Sequence, residues 1–419
     1  MANQETLLKG PVDVNGRLYA WPQSPVVVIC VDGSEPAYHE RAIADGRMPF
    51  LESMLQDGAD LRAQCVMPSF TNPNNLSIAT GAPPAVHGIC GNYFFDAASG
   101  AEVMMNDPAL LRAPTIFAEF ADRGAKVAVV TAKDKLRLLL GHNLQGICFS
   151  AEKADQLTVA DNGIDNILER VEMGLPPVYS AGLSELVLAA GVNILAQDRP
   201  DLMYLSLTDY IQHKHAPGSP VANDFYAMLD GYLADLDMLG AVVVITADHG
   251  MNAKSDGHGC PQVIYLQQIL DQLPAGVLGG GTSRVVLPIT DPYPAHHGAL
   301  GSCATLYLPP ASDLEAVTCR LIREDGIIEV LRRDEACGRF ELPADRIGDL
   351  VVIADRNTAL GTSPERHDLS ALSEPLRSHG GLSEQTVPFL VNRPVNSLPA
   401  GHRLRNFDAY WVATALTEQ

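Results

Sequence analysis

The sequence predicts an α/β fold with a largely parallel central sheet flanked by helices, plus an inserted smaller α+β cap. Three observations carry this expectation. Short apolar runs rich in β-branched residues, at 26–31, 127–131, 202–207 and 242–246 and more weakly at 350–353, read as strands buried on both faces. Segments with helical spacing of apolar residues lie between them, and strand–helix alternation requires crossovers that make the sheet parallel. From about Gly257 to Ser378 the alternation breaks down into glycine runs such as LGGGTSRVVLP and charged stretches such as EDGIIEVLRRDEACGRFELP. Residues 1–256 and 376–419 are therefore expected to form the core, and 257–375 the cap.

The individual elements have local reasons. A helix over 48–58 has Pro49 near its start and Gly58 at its end, the positions each residue favours. A helix over 116–123 stops at Gly124, ahead of the next strand. Helices over 182–197 and 223–239 repeat apolar residues at three- and four-residue intervals.

At 419 residues and 47% hydrophobic, the chain can bury a large core. A formal net charge of −21 argues against a nucleic-acid binder, which needs a basic surface. An anionic ligand would have to be drawn in by local positive charge. The polar start MANQETLLKG lacks an apolar signal core, and no run approaches the ~20 apolar residues of a membrane span. None of the eight cysteines falls in a CxxC pair, so reduced thiols and a cytoplasmic setting are expected.

The residues with chemistry cluster where strands end. Asp32 closes PVVVICVD, Asp209 follows LMYLSLTD with His213 four residues on, and Asp248 and His249 close AVVVITADHG. His379 sits in RSHGG. In open α/β sheets, ligands collect at the carboxyl ends of strands. Taken singly these are weak signals: Asp32 reads equally as a turn, Asp248 as a cap and His379 as a loop histidine. Together they offer three carboxylates and three imidazoles, enough for two metal ions, and the mix suits Zn²⁺ or Mn²⁺ better than Mg²⁺. Thr71 lies in PSFTNPNN, where Pro68, Pro73 and three asparagines read as a tight turn ahead of a helix expected from 76, and is a candidate nucleophile or a plain N-cap. Lys133 and Lys135 follow a strand and form either a local positive spot or a solvated turn. Asn92 could donate to a phosphoryl oxygen or simply end a turn at Gly91.

The order Asp32, Thr71, Asp209–His213, Asp248–His249 and His379 resembles the alkaline phosphatase superfamily. The stretch PSFTNPNNLSIATGAPPAVHGICGNYF is similar to the nucleophile region of its nucleotide pyrophosphatase/phosphodiesterase branch. Within that branch VTAKDKLRLLLG, LTDYIQHKHAPG, TADHGMNAKSDGHGCPQVIYLQ and DPYPAHHGALGSCATLYL resemble the phosphonoacetate hydrolases. The resemblance covers nearly the whole chain from about Pro25 to Val412. It implies an alkaline phosphatase-like core and two zinc ions per chain, with Mn²⁺ or Fe²⁺ as substitutes. Asp209, His213 and His379 would hold one ion, and Asp32, Asp248 and His249 the other with Thr71. It further implies a Thr71 nucleophile, a covalent phosphothreonine, Asn92 on a phosphoryl oxygen, and Lys133 and Lys135 on the substrate. Phosphonoacetate would be cleaved to acetate and phosphate, and a homodimer is compatible with the resemblance. His215 and His258 flank ligand segments as candidate pocket residues without a metal role. A phosphodiesterase or phosphomonoesterase with the same metals, and a non-catalytic zinc-binding or phosphonate-sensing protein, are the competing readings.

Overall fold

The computed structural model describes residues 10–274, 276–289, 300–370, 372 and 374–417. Part of the segment DPYPAHHGAL falls outside these. The central sheet contains β1 (Val26–Cys30), β2 (Ala59–Gln64), β3 (Val127–Thr131), β4 (Ile147–Ser150), β5 (Leu202–Ser206) and β6 (Val242–Thr246). A second, four-stranded antiparallel sheet follows, from β7 (Arg284–Val286), β8 (Cys303–Tyr307), β9 (Ile327–Arg332) and β10 (Leu350–Ala354). The chain then returns to the central sheet as β11 (Thr386–Val391).

The central order is β2-β11-β6-β1-β5-β3-β4. The strands β6, β1, β5, β3 and β4 are mutually parallel, and β11 runs against both its neighbours. Alternation along β1 sends Val26, Val28 and Cys30 to one apolar layer and Val27 and Ile29 to the other. Helices Ala181–Gln197 and Pro220–Met238 pack on the second layer, while Thr71–Thr80 and Ile116–Asp122 pack on the first. With both faces covered, every residue of β1, β3, β5 and β6 is buried, which is why these strands read as unbroken apolar runs.

Register positions the site. Cys30 pairs with both Thr246 and Ser206, and Ser206 pairs with Thr131. Four adjacent strands therefore end level, and the residues that follow them emerge at one edge.

The second sheet packs one apolar cluster against helices Leu266–Asp271 and Leu314–Leu321. Its other side joins the main core through Cys303, Val351 and Ile353. No described helix is long and apolar enough to cross a membrane. All eight cysteines are free thiols.

Two buried histidines make the fold sensitive to acid. His87 sits between Ser77 Oγ at 2.9 Å and the Ile89 N–H, which donates to its Nδ1 at 3.2 Å. Burial, then the Arg346 charge, lowers its pKa to about 3, and burial with Arg62 lowers that of His39 to about 4. Below pH ~6.5 the unfolded chain binds these protons and the folded chain does not, so stability is full above that pH and falls with acid. Each group costs on the order of 2 kcal/mol by pH 5. The urea midpoint should drop between pH 7 and pH 5, and less steeply in His87→Asn; an unchanged slope in that variant would mean His87 titrates normally.

Candidate active site

Asp248 and His249 follow β6, Asp32 follows β1, Asp209 follows β5 and Lys133 follows β3. Asp209 is the N-cap of the short helix Tyr210–Lys214, and its carbonyl accepts the His213 N–H at 3.0 Å. One helical turn therefore sets both side chains on the same face. His379 arrives from the distant Arg377–Ser378 strand, which pairs with Asn252–Ala253 and so lies beside the Asp248–His249 loop. The three carboxylates and three imidazoles are all buried. Gly33, at φ +71°, lets the chain turn after Asp32; a Cβ there would come within 3.1 Å of Gln212 and 3.2 Å of Asp209.

Candidate ligand atoms of Asp32, Asp248 and His249 lie within 4.8 Å of one another, as do those of Asp209, His249 and His379. His249 thus belongs to both trios, and its ring stacks on His379 with centroids 3.6 Å apart. His213 joins through Asp209, its Nε2 2.8 Å from Oδ2.

Hydrogen bonds fix the tautomers. His213 Nδ1 faces the Arg377 carbonyl at 3.1 Å, His249 Nδ1 the Gly250 carbonyl at 2.9 Å, and His379 Nδ1 the Ser69 carbonyl at 2.8 Å. A carbonyl only accepts, so each Nδ1 carries the proton and each Nε2 keeps a lone pair for the centre. His213 Nε2 then faces Asp209 Oδ2, and His249 Nε2 faces Asp32 Oδ1 at 3.3 Å, acceptor against acceptor. Asp32 Oδ1 is buried with no hydrogen-bond partner among the described residues. Such pairs need a proton or a cation between them, and a borderline N/O donor set fits a divalent transition metal.

The charges agree. Burial, with Asp209 and Asp248 close by, pushes the Asp32 carboxyl well above its ordinary range, and burial also raises Asp248. Burial opposes ionisation of Asp209 too, but a proton between it and His213 Nε2, then positive charge at His249 and Lys133, would outweigh burial and hold that carboxyl below the usual range. Burial, then His249 and His213, pushes His379 well below its ordinary value. The site concentrates anionic groups that only added positive charge can keep ionised together.

Thr71 lies beside this cluster, its Oγ1 3.3 Å from His249 Nε2. Its helix starts at Thr71 itself, not at 76, and Phe70 rather than Thr71 is the N-cap. Pro73 falls in the first turn, where backbone N–H groups have no intrahelical acceptor, so the ring costs nothing there. The asparagines that suggested a turn instead anchor the helix. Asn74 bonds the Val66 backbone through both ends of its amide. Asn75 donates to the Thr71 carbonyl and to Asp248 Oδ2, both at 3.1 Å, and accepts from Tyr204 and Ser206 of β5.

A cavity of about 580 Å³ opens over the cluster and is lined by Asp32, Thr71, Asn92, Lys133, Lys135 and Asp209. Asn92 is buried, and its Oδ1 accepts the Asn72 N–H at 3.4 Å. Lys133 is half-buried, whereas Lys135, in the first turn of helix Asp134–Leu140, is exposed. Neither His215 nor His258 lines this cavity.

Sequence reasoning passed over two residues that hold the site together. Asn75 sits four residues after Thr71, on the same helical face. Arg377 is buried, and its guanidinium donates to the carbonyls of Gln212 and Met251 and to Tyr38 Oη. It thereby ties the His213 helix to the segment after His249. An arginine two residues before His379 was the only available signal.

The sequence signature of the type I phosphodiesterase/nucleotide pyrophosphatase family matches residues 26–382. Two crystal structures of a phosphonoacetate hydrolase from Sinorhizobium meliloti 1021, in complex with phosphonoformate and with phosphonoacetate, superpose at TM-score 0.93. They share 58% identity with this chain over 97% of its length and 99% of theirs. The chain belongs to the phosphonoacetate hydrolases of the type I phosphodiesterase/nucleotide pyrophosphatase family. Murine ectonucleotide pyrophosphatase/phosphodiesterase 5 shares the fold at TM-score 0.60 and 17% identity, covering 93% of both chains. An uncharacterised pyrophosphatase/phosphodiesterase of Schizosaccharomyces pombe is 26% identical over 56% of this chain and 46% of its own. A phosphonoacetate hydrolase of Penicillium oxalicum is 56% identical over 41 residues, 9% of this chain and 57% of that one. The chain therefore spans about half the length of these two curated relatives.

Proposed function

We propose that the protein hydrolyses the C–P bond of phosphonoacetate to acetate and phosphate. The observation that carries this is the single cavity joining Thr71 and the cluster's Asp32 and Asp209 to Lys133 and Lys135. The related hydrolase of Sinorhizobium meliloti 1021, described in complex with phosphonoacetate and with phosphonoformate, supports it. In this reading Asp209, His213 and His379 hold one metal, and Asp32, Asp248 and His249 the other with Thr71. Two divalent cations, Zn²⁺ with Mn²⁺ or Fe²⁺ as substitutes, would supply Lewis acidity to the phosphoryl oxygens and lower the pKa of hydroxyl and water.

The Thr71 oxygen loses its proton and attacks phosphorus, forming an O–P bond as the P–C bond breaks. The electron pair left on carbon delocalises into the adjacent carboxylate, and protonation of that carbon gives acetate. Water then cleaves the phosphothreonine and restores the hydroxyl. Expelling carbon is harder than expelling an alkoxide, so positive charge is needed at the carboxylate end. Lys133 and Lys135 stand where charge grows as the bond breaks, so they bind the transition state better than the ground state. Asn92 would donate its amide to a phosphoryl oxygen. We also read residues 257–375 as a cap inserted between the core segments.

An aryl phosphate ester makes no use of a carboxylate site. Lys133→Ala should therefore cut kcat/KM for phosphonoacetate about 10²-fold while leaving aryl phosphate cleavage within a few-fold. Equal losses on both substrates would remove the lysine from substrate recognition, and ester cleavage alone would make the protein a diesterase-type enzyme.

A further inference from the structure

The cavity has a wall that the proposed reaction does not use. It comes from the segment leading into helix Ala181–Gln197, through Val178 and Tyr179. Lys133 Nζ donates to the Val178 carbonyl at 3.5 Å and sits 5.0 Å from the centroid of the Tyr179 ring. Tyr179 is 54% exposed, so it is not there to fill the core. The segment carrying it is stiff. Pro176 and Pro177 fix their own φ angles, Ser180 Oγ donates to the Pro177 carbonyl at 2.7 Å, and Gly182 packs close against Pro176. An aromatic ring on a constrained backbone segment thus stands beside the ammonium at the end of the flexible four-carbon Lys133 stem. An aromatic face attracts an ammonium without neutralising it. A carboxylate partner would cancel the charge that an anionic substrate needs.

We infer that Tyr179 is a specificity-determining positioning residue, whose ring holds the Lys133 ammonium at the cavity wall to meet a substrate carboxylate. This rests on the reading of Lys133 as the carboxylate-binding group. Tyr179 itself acts through Lys133, and its contribution is to preference among substrates, not to the chemistry at phosphorus.

The test compares Tyr179→Leu, Tyr179→Phe, Lys133→Ala and the Lys133→Ala/Tyr179→Leu double variant, all metal-loaded, on phosphonoacetate and on an aryl phosphate. Tyr179→Leu should lower the phosphonoacetate-to-aryl-phosphate ratio of kcat/KM roughly two- to fivefold. Tyr179→Phe, which keeps the ring face, should restore it. In the Lys133→Ala background the leucine substitution should change nothing further, because the interaction is already gone. Equal losses on both substrates, or the same loss with and without Lys133, would overturn the inference. If Lys133→Ala shifts the ratio and Tyr179→Leu does not, only the role of Tyr179 fails. If Lys133→Ala leaves the ratio unchanged, the lysine assignment fails and takes the inference with it.

Discussion

Thr71→Ala should lose phosphonoacetate turnover by roughly 10⁴-fold or more, the scale on which a covalent mechanism depends on its nucleophile. The loss should be chemical, not structural. Thr71 is the first residue of its helix, and Asn75 holds it through the Thr71 backbone carbonyl, which alanine retains. Asn74 anchors the same turn to Val66 and Phe70 without using the Thr71 side chain. The six other proposed ligands also remain, so the variant should still bind metal, and its thermal midpoint should stay close to that of the parent. Thr71→Ser keeps a hydroxyl at the same place and should recover much of the rate. The measurements are acetate and phosphate release together with metal content and thermal unfolding. Near-parental turnover in Thr71→Ala would end the nucleophile assignment, and loss of metal along with activity would make Thr71 chiefly a ligand.

How far the sequence went depended on how each residue is used. Strands buried on both faces announce themselves, so 127–131 and 242–246 match the observed β3 and β6, and β1 and β5 differ from expectation by one residue at the end. The edge strand β2, ADLRAQ, has mostly exposed or half-buried polar positions and carries no such run. In β11, Pro388 interrupts a run that would otherwise read as a strand. The stretch 350–353 is a strand but lies in the second, antiparallel sheet, because continuous apolarity reports burial and not which sheet a strand joins. Asp32, Asp209, Asp248 and His249 were visible as polar residues closing apolar runs, and His213 by its four-residue spacing from Asp209, whereas only the return of the chain beside Asn252–Ala253 brings in His379. Proline and asparagine in PSFTNPNN argued for a turn, because local propensity cannot show that Asn74 and Asn75 find their partners across the fold. For the same reason Arg377 and Tyr179 were not legible: their value lies in carbonyls and an ammonium supplied by remote segments.

Stripping metal should both abolish turnover and loosen the protein, and the two effects share one cause. Asp32, Asp209 and Asp248 are buried together, and Asp32 has an oxygen with no hydrogen-bond partner among the described residues. Without a cation, burial and mutual repulsion push the Asp32 and Asp248 carboxyls upward, so between the unfolded and folded values the folded chain keeps protons that the unfolded chain has released. A raised carboxyl costs stability above its unfolded value of about 4, and the cost grows until the folded group ionises. A ligand bound only by the folded state adds about 4 kcal/mol per site at a thousandfold excess over its Kd. Chelation should therefore lower the unfolding midpoint by several degrees at pH 7.5, and zinc should restore both midpoint and turnover. Metal binding favours the ionised carboxylates and releases any protons they carry, so apparent affinity should weaken as pH falls. Titration calorimetry in two buffers of different ionisation enthalpy would show that release as a buffer-dependent heat. His213→Ala offers a finer cut, because its Nδ1–H is fixed by the Arg377 carbonyl and its Nε2 reaches the cluster beside Asp209. That variant should retain about one equivalent of zinc, against the two expected for the parent. Two equivalents retained at parental affinity would show that His249, shared by both trios, completes the site with Asp209 and His379 without it. Full turnover after exhaustive chelation would remove metal from the chemistry and leave the facing acceptors to be bridged by protons alone.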